Sequence, residues 1–235
     1  SMISSPIPVV ITFHGSDINI PILNIISSCL SRLPKETIIV EQNLYNKLLI
    51  KPRKKNIIPC GVDFDLFYPE PMELCKKIEG LSLEKDYLLF SSSFARPVKN
   101  YSLCQAALSK LNTNVEILEL KNKTRQQVRH LLNAVKALIL TSFTEGSPQI
   151  IKEAMACNCP IVATDVGDIH EIIQNTEGCY ITKFDAQDVA EKIKTVLASG
   201  QRTNGRESIA TYDNRLISER IKKVYYNAIN RANEL

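Results

Sequence analysis

The chain has 235 residues, 44% of them hydrophobic and 6% aromatic, and 29 Lys and Arg against 25 Asp and Glu give a net charge of +4. That length can bury the core of one large domain or of one and a half smaller ones, and so mild a charge with so few aromatics excludes a nucleic-acid binder. No apolar run reaches the length of a membrane span, the start lacks the features of a signal peptide, and seven scattered cysteines without a Cys-x-x-Cys pair argue against disulfides or structural zinc and for a reducing cytoplasm.

In chain order, "PVVITFH" (Pro8 to His14) and "TIIVE" (Thr37 to Glu41) are predicted strands. With two helices they make too little to close a sheet, so residues 1–58 are expected to be the remnant of an α/β domain whose larger part is missing. Its unpaired strand edges would either pair with a second copy of the chain, giving a homodimer, or remain mobile. The basic run "KPRKK" (Lys51 to Lys55) is a solvated loop or a contact for an acidic lipid surface. The boundary falls in "NIIPCGVDFDLFYPEP" (Asn56 to Pro71), where prolines, Gly61 and two aspartates break the pattern.

From residue 59 to 212, strands are predicted at "YLLFSS" (Tyr87 to Ser92), "VEILEL" (Val115 to Leu120), "ALILTS" (Ala137 to Ser142), "PIVATD" (Pro160 to Asp165) and "CYITK" (Cys179 to Lys183). Several are apolar throughout, as in a parallel sheet covered on both faces. Helices lie between them: "TRQQVRHLLNAV", capped by Thr124, with Val128, Leu131, Leu132 and Val135 on one face, and "DAQDVAEKIKTVLAS", capped by Asp185, with Val189, Ile193, Val196 and Leu197. The alternation predicts an α/β fold, a Rossmann-like doubly wound parallel sheet. Residues 213–235 are set apart as a terminal helix with a buried stripe of Leu216, Ile217, Ile221, Val224, Tyr225 and Ile229.

The chemistry concentrates in "TEGSPQIIKEAMACNCP" (Thr144 to Pro160), a loop entering an apolar helix. Ser147 is the predicted N-cap and Pro148 the first helical residue. The N–H groups of Gly146, Ser147 and Gln149, with the helix dipole, suit an anion such as phosphate. Glu145 stands at the mouth of this anion site, and Glu153 lies inside the helix among apolar neighbours. A buried carboxylate needs partners, and two sugar hydroxyls are apt; a core Arg or Lys pairing with Glu153, with Glu145 merely solvated, is the plainer alternative. In "SSSFARPVKNYSL" (Ser91 to Leu103), Arg96 and Lys99 occupy a turn at the same sheet edge, either as surface charges or as the cations for a diphosphate. Cys157 and Cys159 read as small apolar residues at a helix end, and no metal site is expected.

"SFTEGSPQIIKEAMACNCPIVATDVGDIHEII" (Ser142 to Ile173), with seven residues between Glu145 and Glu153, resembles the signature of the GT-B fold glycosyltransferases of the family 4 type. "IIPCGVDFDLFYP", "ARPVKN" and "EGCYITKFDAQDVAEKI" resemble that family's interdomain linker, phosphate-binding turn and last strand and helix. The resemblance implies that residues 59–212 are the nucleotide-sugar-binding C-terminal domain of a GT-B fold and residues 1–58 part of its acceptor-side domain. By the same resemblance Glu145 would hold hydroxyls of the transferred sugar, Gly146, Ser147, Pro148 and Gln149 the sugar and distal phosphate, Arg96 and Lys99 the diphosphate, and Glu153 the ribose. "VITFHGSD" resembles the strand and loop that bring a histidine to the donor, which singles out His14. Ala95 and the Gly167-Asp168 pair stand where the family has Gly and Gly-Gly, and the Arg96 to Lys99 turn is shorter than the common form.

The implied function is that of a retaining glycosyltransferase, cytoplasmic or at the inner face of the membrane, moving a sugar from a nucleoside diphosphate to a sugar or lipid-linked acceptor in polysaccharide or glycoconjugate synthesis, with no cofactor. A non-catalytic nucleotide-sugar-binding module and a GT-B sugar-nucleotide epimerase are the alternatives.

Overall fold

The computed structural model describes residues 7–111 and 113–230, so the last residues of the 213–235 segment and the first of the 1–58 segment lie outside the described residues. The elements are β1 (Val10–Phe13), α1 (Ser16–Asn19), α2 (Pro21–Leu30), β2 (Glu36–Ile39), α3 (Gln42–Lys47), β3 (Lys55–Ile57), α4 (Met72–Ile78), β4 (Asp86–Phe90), α5 (Tyr101–Leu108) and β5 (Val115–Glu119). They continue as α6 (Arg125–Ala134), β6 (Ala137–Leu140), α7 (Gln149–Ala156), β7 (Ile161–Thr164), α8 (Ile169–Ile173), β8 (Cys179–Thr182), α9 (Ala186–Ser199), α10 (Gly205–Ser208) and α11 (Asn214–Asn230), with 3-10 turns at Pro97–Lys99 and Ala210–Tyr212. They fall into two compact units, residues 1–61 with 211–235, and residues 62–210.

The first unit holds a parallel sheet in the order β1-β2-β3, with Phe13 beside Ile39 and Ile39 beside Ile57. Successive β2 side chains point to opposite faces. Ile39 joins Phe13, Ile18, Leu44 and Leu48 on one side, and Ile38 joins Ile58, Ile217 and Val224 on the other. α11, set apart in the sequence reading, therefore covers one face of this sheet, and Arg220 donates to the Ile57 carbonyl at 2.8 Å. Its buried stripe is narrower than expected: Ile217, Val224 and Ala228 are buried, whereas Leu216, Tyr225 and Ile229 stay about half exposed. A three-stranded sheet is too small a surface to cover a wider stripe. The sequence pattern does not mark β3, which is three residues long and begins inside the basic run. Two cations of that run are engaged within the unit, Lys51 on the Tyr45 and Asn46 carbonyls and Lys55 over the Tyr45 ring.

The second unit is a five-stranded, all-parallel sheet in the order β5-β4-β6-β7-β8. Every residue of β6 and β7, and all of β4 beyond Asp86, is buried, whereas the edge strands β5 and β8 are largely half-buried. That is why the central strands read as unbroken apolar runs. Leu88, Phe90, Ile139 and Val162 form one face with Cys104 and Ala107 of α5 and Val189, Ile193 and Val196 of α9. The chain runs from β4 outward to β5, then returns past β4 to β6. Winding thus reverses between β4 and β6, and the carboxyl ends of these two strands mark the switch point where open α/β sheets bind ligands. Thr124 and Gln127 form a reciprocal capping box at the start of α6, and Asp185 caps α9 through the Asp188 amide.

Candidate functional site

The turns that leave β4 and β6 meet at this switch point. After β4 the chain forms the Pro97–Lys99 turn and reverses at Asn100, whose φ of 51° is left-handed. After β6, Thr141 donates its hydroxyl to the Asn100 carbonyl at 2.9 Å, and the Phe143 amide donates to the Val98 carbonyl at 2.9 Å. These bonds hold Lys99 and Glu145 together: Lys99 Nζ lies 2.5 Å from Glu145 Oε1, which also accepts from Ser142 Oγ at 2.6 Å. Both side chains are about one-eighth exposed. Arg96 differs from Lys99, since it is exposed and its guanidinium makes no ion pair among the described residues.

Helix α7 begins at Gln149, with Pro148 in the N-cap position and no side-chain cap. Ser147 was the expected cap. Its hydroxyl instead donates to Asp168 Oδ2 at 2.5 Å and accepts from Lys152 Nζ at 2.5 Å, so the charged pair draws it away from the helix amides. Among the described residues the Gly146 and Ser147 amides have no hydrogen-bond acceptor, which leaves them for an anion or water. The turn after β7 fixes this loop from behind, because the Asp168 amide donates to the Gly146 carbonyl at 3.2 Å. Gly167 there has φ 63°, and a Cβ on it would lie 2.0 Å from the Gly146 oxygen.

Glu153 is buried, and its Oε1 accepts from Arg125 Nη1 at 2.5 Å. Burial pushes its carboxyl up from the usual carboxylate range, while the charges of Arg125 and Lys152 pull it back. The plainer alternative for this residue therefore has a partial counterpart: Glu153 does pair with an arginine, but with one at the surface, its side chain 57% exposed. Asp168 is likewise pushed up by burial and eased by Lys152 and the Ser147 hydroxyl.

Eight of the nine candidate residues (Arg96, Lys99, Glu145, Gly146, Ser147, Pro148, Gln149 and Glu153) belong to the second unit, and His14 belongs to the first. His14 follows β1 and is exposed. Its amide donates to Asp17 Oδ2 at 2.9 Å, and its Nδ1 lies 3.7 Å from Cys60 Sγ. Sequence reasoning missed Lys152, which is fully buried. The signal was present, a lysine on an apolar helix beside Glu153 and one turn beyond Ser147. Cys157 and Cys159 are buried and their thiols pushed well up by burial, as small apolar residues of the core would be. Among the described residues no cluster of His, Cys, Asp or Glu could hold a metal ion, and no helix is long and apolar enough to cross a membrane.

Residues 87–199 match the family model "Glycosyl transferases group 1". The chain is 26% identical over 215 residues to TuaC of Bacillus subtilis, a glycosyltransferase named for teichuronic acid biosynthesis, covering 81% of this chain and 55% of that protein. It is 26% identical over 267 residues to the N-acetyl-alpha-D-glucosaminyl L-malate synthase of Bacillus anthracis, covering 97% of this chain and 70% of that enzyme. It therefore spans about half the length of the first of these relatives. Among solved structures, sucrose-phosphate synthase of Thermosynechococcus elongatus superposes with a TM-score of 0.80 at 17% identity, over 94% of this chain and 68% of that one. Anabaena Alr3699/HepE, solved in complex with UDP and glucose, superposes with a TM-score of 0.76 at 18% identity, over 93% of this chain and 71% of that one.

Proposed function

We propose that this chain is the donor-binding part of a retaining glycosyltransferase, since residues 87–199 match the glycosyl transferases group 1 model and the fold is that of the GT-B glycosyltransferases. It would transfer a sugar from a nucleoside-diphosphate sugar to an acceptor hydroxyl in polysaccharide or glycoconjugate synthesis. One observation carries this reading. The turns after β4 and β6 bring a lysine and its carboxylate partner together beside loop amides without an acceptor among the described residues. An exposed arginine lies on the first turn, and a buried glutamate on the helix that follows the second. A nucleoside-diphosphate sugar presents the complementary groups, two phosphates, a ribose diol and the hydroxyls of a hexose.

In the reaction, the bond from the anomeric carbon to the distal phosphate oxygen breaks, the acceptor oxygen bonds to that carbon, and the acceptor's proton passes to an oxygen of the departing diphosphate. Negative charge grows on the departing diphosphate, and donors aimed at it stabilise the transition state more than the ground state. Arg96 supplies a charge that pairs with no group among the described residues, and the Gly146 and Ser147 amides add donors from the loop ahead of α7. Lys99 is neutralised by Glu145 until a phosphate draws it away, which frees Glu145 to accept from sugar hydroxyls. These groups meet the charge that a divalent cation would otherwise meet, and the reading uses no cofactor. A lipid-linked acceptor and a place at the inner face of the membrane belong to the same reading, supported by the exposed aliphatic face of Ile22, Ile25 and Ile26 on α2.

Calorimetric titration with UDP, GDP, ADP and CDP tests the donor site. One of them is expected to bind, and Glu153→Ala to weaken it by about 1–3 kcal/mol through lost charged hydrogen bonds. A folded Glu153→Ala variant with unchanged affinity would sink the assignment. Arg96→Ala should weaken the diphosphate more than the matching nucleoside, because its part is phosphate charge; equal losses would place Arg96 outside the site. Turnover that requires an added acceptor separates a transferase from a binding module, and conversion of the donor without acceptor would point to an epimerase.

A further inference from the structure

Glu153 faces two opposing demands. To accept hydrogen bonds from both hydroxyls of a ribose it must be ionised, yet it is buried on a helix whose neighbouring residues Ile151, Ala154, Met155 and Ala156 are fully buried. A bare carboxylate in such a place takes up a proton, and a protonated carboxyl donates where it should accept.

The geometry points to Arg125 as the positioning residue that keeps Glu153 ionised and oriented for the ribose of a nucleoside diphosphate. The inference rests on the donor-site reading above. Arg125 is the first residue of α6, where the Thr124–Gln127 capping box fixes the backbone, and its guanidinium lies 4.8 Å from the centroid of the Phe67 ring. Phe67 is fully buried, and its carbonyl accepts from Arg206, so the ring is a fixed platform. A planar guanidinium laid on that ring aims one nitrogen at the carboxylate. Arg125 Nη1 reaches Glu153 Oε1 at 2.5 Å, while Oε2 has no hydrogen-bond partner among the described residues. An ionised carboxylate has about four acceptor positions, so one bond to Arg125 leaves room for both ribose hydroxyls.

The other charges on the elements packed against α7 are committed elsewhere or act only at a distance. On α6, Arg129 pairs with Glu70 and His130 with Glu79. On α10, the Arg206 guanidinium donates to the carbonyls of Phe64, Phe67 and Ala156. On α7 itself Lys152 turns its ammonium to Ser147, and its charge reaches Glu153 only through space. Arg125 is thus the cation in direct contact with the carboxylate. Burial raises the Glu153 carboxyl and Arg125 opposes that rise, so removing Arg125 extends the protonated range of Glu153 upward in pH.

The test is the pH profile of affinity, measured by calorimetry with whichever of UDP, GDP, ADP and CDP binds the wild-type chain most tightly. Arg125→Gln keeps the length and polarity of the side chain and removes its charge, and at an exposed position it should leave the fold intact, as its melting temperature will report. The ratio of its dissociation constant to that of wild type cancels the titration of the ligand's own phosphate. That ratio should be larger near pH 6 than near pH 8, by about threefold or more, since without Arg125 the ionised form of Glu153 is depleted further as the pH falls. Arg125→Lys should restore most of the lost affinity at low pH, and Glu153→Gln should show a weakened but pH-independent ratio. A ratio for Arg125→Gln that does not change between these pH values overturns the inference. So does tighter binding by Arg125→Gln at every pH, which would make Arg125 a competitor for the ribose. If the wild type binds none of the four nucleotides, or Glu153→Ala binds as wild type does, the donor-site reading falls first, and this inference falls with it.

Discussion

Replacing Lys152 with methionine is expected to cost the fold about 3–5 kcal/mol, the loss typical when one partner of a buried charge network is removed. Lys152 is fully buried on α7, and its ammonium donates to Ser147 Oγ, which in turn donates to Asp168 Oδ2. Its charge also lowers the proton affinity of both Asp168 and Glu153, two carboxyls that burial pushes the other way. Methionine fills a similar volume, so the loss is electrostatic and not a cavity effect. The sign of its pH dependence follows. An Asp168 carboxyl raised above its unfolded value penalises the fold while it is ionised, and that penalty is relieved as the pH falls through the folded pKa. Without Lys152 the penalty is larger, so the deficit of Lys152→Met relative to wild type should shrink as the pH is lowered from about 7 towards 5. Urea unfolding at the two pH values measures it, and the double variant Lys152→Met/Asp168→Asn should recover more than half the loss. A deficit that grows on acidification, or a double variant no more stable than Lys152→Met, would show that Lys152 acts through packing.

That network also marks where the sequence stopped being informative. The strands of the second unit were legible because a strand sheathed on both faces must be apolar at every position, and Leu138, Ile139 and Leu140 are so. The starts of α6 and α9 were legible because Thr124 and Asp185 cap amides within three residues. Pairings across the sheet carry no such local signal. Lys99 and Glu145 are separated by 46 positions, and Arg125 and Glu153 by 28. Each partner could be named from its chemistry, or overlooked, but not matched. Ser147 illustrates the difference: its local pattern is that of an N-cap, and a partner 21 positions away, Asp168, takes its hydroxyl instead. The affiliation of α11 was hidden for the same reason, since Ile217 and Val224 find Ile38 and Ile58 far back in the chain.

Gly167→Ala is expected to be more damaging than its size suggests, because two separate penalties fall on one methyl group. The first is conformational. Gly167 has φ 63°, and a residue with a Cβ pays about 1–2 kcal/mol to hold that left-handed geometry. The second is contact: the added carbon would lie 2.0 Å from the Gly146 carbonyl oxygen, 3.0 Å from its carbon and 3.3 Å from the Glu145 carbonyl carbon. All three are backbone atoms and cannot rotate away as a side chain would. The loop cannot retreat freely either, because the Asp168 amide bonds the same Gly146 oxygen and Ser147 bonds the Asp168 carboxylate. Relief must come from shifting Glu145, Gly146 and Ser147 together, the loop that offers its amides to an anion. The expected result is a loss of about 3 kcal/mol or more in urea unfolding, with weakened nucleoside diphosphate binding in the molecules that still fold. Gly200→Ala separates the two penalties, since Gly200 has φ 59° and a Cβ there would meet nothing within 4 Å. It should show only the conformational cost, about 1–2 kcal/mol, and leave ligand binding unchanged. Equal losses in the two variants would mean that the turn after β7 does not brace the loop at Glu145 and Gly146.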